Sequence, residues 1–171
     1  MKWLSFLRTL TKIIFVLSII FMAYLIPILF VMIFAKDIVP EDIIYIISNE
    51  STGSIGVEEY LYATAIILSL GFYIYALYLF KKVLAYFHKR EVFHENVVRY
   101  FNQSGKAVLN GYMIELFAVI LYNFLVKQQT SVSTDFIMYS FLIVGVGLFF
   151  IVLSEVFLMA KNLKEDNDLT I

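Results

Sequence analysis

The chain has 171 residues, 61% of them hydrophobic and 16% charged, with no cysteine and with 13 Lys and Arg against 14 Asp and Glu. Soluble domains run at roughly half apolar and a quarter charged, so both fractions are displaced toward lipid. That excludes a soluble enzyme, a disulfide-stapled secreted module and a disordered tail, because so few charges cannot coat a water-facing surface around so much apolar material.

Crossing a hydrocarbon core of roughly 30 Å takes about 20 helical residues at about 1.5 Å rise each. Four apolar runs meet that length: 13–35, 60–80, 107–126 and 136–160. The first follows Lys2, Arg8 and Lys12. At 23 residues it exceeds the roughly 7 to 15 of a signal h-region, and it ends at Lys36 and Asp37 instead of a small-residue cleavage site, so it reads as a retained helix kinked at Pro27. The connector 36–59 sets six isoleucines and valines around Pro40 and two acids before a turn-rich stretch, the pattern of a segment lying along the interface. Beyond the second run, Val83, Leu84 and Phe87 keep the helical period past Lys81 and Lys82. Phe93, Val97 and Phe101, four residues apart, then open a helix through Gly105 into the third run. The segment 81–106 therefore predicts a helical hairpin. In the tail 161–171, Lys161 and Lys164 snorkel at the membrane surface. Leu169 and Ile171 alternate around Thr170 like an extended strand, expected either to fold back near Phe93 and Val97 or to add to a partner's groove.

Orientation follows from the cations. The N-terminus, the segment 81–106 and the tail hold 11 Lys and Arg, the other two connectors only Lys36 and Lys127. Short cation-rich loops stay inside, which places both termini and the hairpin in the cytoplasm of a multi-pass protein of the cell membrane. The fold class is all-α: one membrane domain over 1–171, an integral bundle of four transmembrane helices with a cytoplasmic helical hairpin between the second and third.

Only Glu115 and Glu155 carry charge within the four runs. Ionisable groups in a span are expensive and face a bundle interior or water. Counted from the cytoplasmic ends of their runs, Glu115 lies about 12 Å deep and Glu155 about 8 Å, level with Ser18, Tyr75, Asn110 and Ser154, so one polar layer drawn from all four helices is expected. Gly111, Glu115, Ala118 and Tyr122 on the third helix, and Thr64, Gly71, Tyr75 and Tyr78 on the second, mark the expected inward faces. Two readings of the layer stay open: a site where Glu115 and Glu155 share or exchange protons, or neutral carboxyls hydrogen-bonded as packing groups. A second surface is expected at the cytoplasmic end, from Phe93, Asn96, Val97, Gly105, Leu163, Asp168, Leu169, Thr170 and Ile171.

No catalytic residue, cofactor site or metal site is expected. His88, Glu91 and Glu95 would share one face of an unbroken helix, but the break expected near Phe93 spoils that geometry. Glu165 to Asp168 lacks the glycine and distal glutamate of a calcium loop. No phosphate loop, zinc motif or nucleophile elbow is present in the sequence. The basic residues of 81–106 suit anionic headgroups or a protein, and Glu91 and Glu95 interrupt the charge a nucleic acid would need.

The ending EVFLMAKNLKEDNDLTI, residues 155–171, resembles that of a bacterial family of small four-span membrane proteins, domain of unknown function 2975, and the segment VFHENVVRYFNQSG, 92–105, is similar to that family's second recurring segment, with Val92 where a proline is common. The resemblance implies an inner-membrane protein without assigned activity, often encoded beside a small helix-turn-helix regulator. It offers no catalytic residue to carry over. The expectation is a non-enzymatic regulatory or interaction protein, with the lipid bilayer, a cytoplasmic DNA-binding regulator and a second copy of itself as partners. The rival is a small oligomeric transporter or efflux component using the buried carboxyls as a proton site.

Overall fold

The computed structural model describes residues 2–34, 56–126 and 134–169; the interfacial connector expected over 36–55 and the strand-like end at Thr170 and Ile171 lie outside the described residues. Four helices follow one another: α1 (Lys2–Phe34), α2 (Val57–His88), α3 (Glu95–Leu125) and α4 (Thr134–Leu169). All four are long and apolar enough to cross a membrane, and this is a multi-pass membrane protein. The helix expected through 95–105 into the third run is present, and α1 runs unbroken through Pro27.

Helices α2, α3 and α4 pack together, and α1 lies against α2. Apolar burial cannot drive helix association in lipid, so close backbone approach and polar pairing have to. Small residues sit where both occur. The Ser104 hydroxyl donates to the Ala76 carbonyl at 3.2 Å, joining α3 to α2, and the Ser154 hydroxyl donates to the Val98 carbonyl at 2.9 Å, joining α4 to α3. A methyl group on Gly105 would lie 2.6 Å from both the Gly147 carbonyl oxygen and Ile151 Cγ1. At the hairpin end α2 also meets α4: Phe80 faces Phe150 at 5.4 Å and Phe87 faces Phe157 at 5.5 Å, around fully buried Val83 and Val97.

Helix α1 is held by less. Met22 touches Gly71, the tilted rings of Phe15 and Tyr78 meet with centres 5.9 Å apart, and Lys81 Nζ stands 4.1 Å over the Phe15 ring. The stripe of Thr64, Gly71, Tyr75 and Tyr78 is thus corrected: Gly71 and Tyr78 face α1, Thr64 and Tyr75 are exposed, and α2 meets α3 through Ser69, Phe72, Tyr73 and Ala76. A middle helix has two packed faces, and polarity alone does not say which faces which neighbour.

These contacts fix the depth of each residue. Gly71 and Met22 lie near the midpoints of 60–80 and 13–35, and Gly147, near the midpoint of 136–160, touches Leu109. Gly111 packs on Ser69, so the bilayer midplane crosses α3 at about Leu109 to Gly111. The charge-set run 107–126 is therefore off centre, since Lys106 falls inside the crossing and does not bound it.

The tail continues α4 as helix to Leu169, because Ala160 to Asn167 contains no helix breaker and its Lys161 and Glu165 pair four residues apart at 3.6 Å. For Asp168 and Leu169 only this backbone is described.

The glycines sort into tight and open positions, which makes a stability test. Gly105→Ala should cost about 1–3 kcal/mol through overpacking against α4. Gly145→Ala, with nothing within 4 Å of the added methyl, should be neutral or gain up to about 1 kcal/mol from helix propensity. Thermal unfolding of both variants in one detergent checks the contrast.

Candidate functional site

The strongest intramembrane polar site is built on Glu115. The Tyr73 hydroxyl of α2 donates to Glu115 Oε2 at 2.7 Å, and the Tyr139 hydroxyl of α4 donates to the same oxygen at 3.3 Å. One carboxyl thus ties three helices, some five residues from the midplane on the side away from the hairpin. Two phenols supply donors that lipid cannot, which is how a polar group is tolerated at that depth.

The other residues expected in this layer lie elsewhere. Glu155 is exposed and follows Ser154, whose partner Val98 is 17 residues from Glu115, roughly 25 Å along α3 at about 1.5 Å each. The two carboxyls are therefore too far apart to share a proton. Ser18 donates to its own helix at the Ile14 carbonyl, 2.8 Å away, and Tyr75 and Asn110 are exposed. Ser154 is buried as a helix-joining group. No single layer forms, because α3 enters the membrane well before Lys106 and its residues lie deeper than its charges suggest. Tyr73 and Tyr139 were missed; a signal for them is hard to find when tyrosines number 12 and the register between helices is unknown.

The second site is the hairpin tip. Helix α2 ends with a reverse turn in which Arg90 N–H donates to the Phe87 carbonyl at 3.1 Å and Glu91 N–H to the Tyr86 carbonyl at 3.1 Å. This is the Schellman arrangement, whose left-handed position is usually glycine. Here Arg90 occupies it at φ 63°. His94 caps α3, its Nδ1 accepting from Asn96 N–H at 3.1 Å, and Asn96 Nδ2 donates to the Tyr86 hydroxyl at 2.9 Å. His88 closes α2 and Glu91 stands in the turn, so the unbroken helix that would align them with Glu95 is not formed.

A cleft of about 260 Å³ lies between this turn and the end of α4, lined by Arg90, Glu91, Phe93, His94, Lys161 and Lys164 among others, with Lys164 Nζ 5.8 Å from the Phe93 ring. Phe93, Asn96 and exposed Leu163 belong to this end. Val97 and Gly105 do not offer a surface: both are buried, Val97 in the aromatic core and Gly105 on the α4 backbone. Sequence reasoning found Phe93 but missed Arg90, Lys161 and Lys164 as one cleft, since only the α4 extension brings the lysines there.

The architecture defines an all-α membrane protein with an intramembrane carboxyl knot and an extended helical tip. The chain belongs to the family described as Protein of unknown function (DUF2975), whose model matches residues 44–171. That match takes in α2, α3 and α4. No curated protein and no solved structure matches it.

The Glu115 knot yields a graded mutational series. Glu115→Gln keeps an acceptor for both phenols and should stay within about 0.5 kcal/mol of the parent, while Glu115→Leu should lose about 1–2 kcal/mol, in line with interhelical hydrogen bonds in membranes. Tyr73→Phe should cost more than Tyr139→Phe, following the shorter bond. Equilibrium unfolding in mixed micelles measures the order.

Proposed function

We propose that this is a non-enzymatic regulatory or interaction protein of the bacterial inner membrane, with both termini and the α2–α3 turn in the cytoplasm, and that it presents the hairpin tip to a cytoplasmic partner. The observation carrying this reading is Arg90. An arginine in the left-handed region costs roughly 1–2 kcal/mol over glycine, and such strain is informative when the side chain has a use. Arg90 lies 19 residues beyond Gly71, roughly 28 Å from the midplane at about 1.5 Å per residue, hence past a hydrocarbon half-thickness of about 15 Å and its headgroups. The cleft rises from Lys161 at about 21 Å, through Lys164 at about 26 Å, to Arg90, and its mixed lining of three cations, Glu91, Glu165 and Phe93 suits a protein segment better than a lipid headgroup. The cation bias of this end supports its cytoplasmic placement. The family resemblance makes a helix-turn-helix regulator the candidate partner.

The carboxyl knot supports a second reading, a small oligomeric transporter or efflux component. With Glu155 far off, it would run on Glu115 alone, and proton flux in proteoliposomes would have to vanish in Glu115→Gln.

Two outcomes are expected of the first reading. A reporter active only outside the cytoplasm should be silent when fused after Ile171 or within 89–95 and active near Ser51; activity at either terminus overturns the orientation. Co-expressed with a helix-turn-helix regulator from the neighbouring gene, the protein should hold that regulator in the membrane fraction. Arg90→Gly should release it while raising thermal stability, a pairing that loss of fold cannot produce. A regulator that stays soluble beside the unaltered protein overturns the partner assignment.

A further inference from the structure

Helix α3 carries Arg99, Lys106 and Asn110 on one exposed face, spaced seven and four residues apart. By the depth set above, Asn110 lies at the bilayer midplane, Lys106 about 6 Å and Arg99 about 16 Å toward the hairpin. Over that depth the charges on α1 and α2 are Lys12, Lys81 and Lys82, all about 15–16 Å from the midplane and level with Arg99, and α4 carries a single acid. Glu155 of α4, eight residues from Gly147, lies about 12 Å from the midplane on the same side, between the levels of Lys106 and Arg99, and is likewise exposed.

The four residues share a flank. On α3, Val98, Gly105 and Leu109 meet α4, while Ser104 and Gly111 meet α2. At about 100° per residue, Arg99, Lys106 and Asn110 fall roughly a quarter turn past the α4-facing line, on the side opposite α2. On α4, Gly147, Ile151 and Ser154 meet α3, and Phe150 and Phe157 turn to α2; Glu155 falls roughly a quarter turn away on the other side. Since α2 lies on one side of the α3–α4 pair, all four polar residues lie on the opposite side. Among the described residues none forms an ion pair with Lys106, Arg99 or Glu155.

We infer that this flank is the interface between two copies of the chain, related by a two-fold axis along the membrane normal, with Lys106 and Arg99 of each copy paired to Glu155 of the other. Arg99 stands at the headgroup level, but the hydrocarbon around Lys106 and Asn110, and on the inner side of Glu155, offers neither counter-charge nor hydrogen bonds. A second copy offers both: a two-fold axis sets α3 against the partner's α4, so the acid of each copy, lying between the levels of the two cations, meets the cations of the other twice over. The inference is independent of the tip and of its partner.

Charge reversal in the full-length protein, reconstituted singly or doubly in lipid nanodiscs and weighed by native mass spectrometry, tests it. The parent should be dimeric. Lys106→Glu and Glu155→Lys should each lower the dimer fraction at least tenfold, and combining them should restore it, with helical content by circular dichroism unchanged. A monomeric parent, or a double variant no more dimeric than the singles, overturns the inference. Should a single reversal fail to fold, the absence of native cysteine gives a second route: chains bearing Lys106→Cys mixed with chains bearing Glu155→Cys should be joined by a short bismaleimide, and chains bearing Ile20→Cys should not. No cross-link between the mixed chains overturns it equally.

Discussion

Small residues spaced seven apart hold this protein together. Ser69 and Ala76 on α2, Ser104, Gly111 and Ala118 on α3, and Gly147 and Ser154 on α4 form the lines along which backbones meet. A seven-residue period is that of left-handed helix pairs, and in lipid the short side chain matters more than its polarity, because dispersion between close backbones replaces the absent hydrophobic drive. The two serines add a hydrogen bond to each seam. Among the described residues, no buried side-chain nitrogen or oxygen lacks a partner.

The seams also decide what lies at which depth. Once Gly111 rests on Ser69 and Gly105 on Gly147, Asn102, Gln103 and Lys106 of α3 are drawn into a level where α1 and α2 carry no charge, with Arg99 level with Lys12 and Lys81. Glu115 moves to the opposite side of the midplane from Glu155. A polar α3 among apolar neighbours is stable only because its inner side is lined by the seams and its polar side chains collect on one flank. The cost of that flank is a physical demand for a partner group, and the demand exists whether or not the tip binds anything.

Much of the architecture could be read from the chain alone. The four spans follow from run length, and the hairpin from Val83, Phe87, Phe93, Val97 and Phe101 holding the helical period on either side of a break. These are local signals. The site was less legible because it depends on how helices slide against each other. Glu115 was recognisable as a costly group, but its partners Tyr73 and Tyr139 lie 42 and 24 residues away on two other helices, and nothing in hydropathy fixes that alignment. Charge misled in one place: Lys106 looked like the edge of a span. The seven-residue spacing of small side chains, which runs from Ser104 through Gly111 to Ala118, carries the truer register.

Helix α1 stands apart from this logic. It touches α2 through Met22, Phe15 and a lysine over an aromatic ring, with less backbone approach than joins the other three. The family match begins at residue 44, after α1, and covers the three-helix unit whole. The seams, the Glu115 knot, the strained Arg90 and the polar flank of α3 all lie within that unit. Because α4 is one continuous helix from Tyr139, beside Glu115, through Glu155 on the flank to Lys164 at the tip cleft, a shift of α4 on its seam with α3 cannot alter one of the three sites without altering the others. That rigid connection is the physical route by which pairing in the membrane and binding at the tip would be coupled.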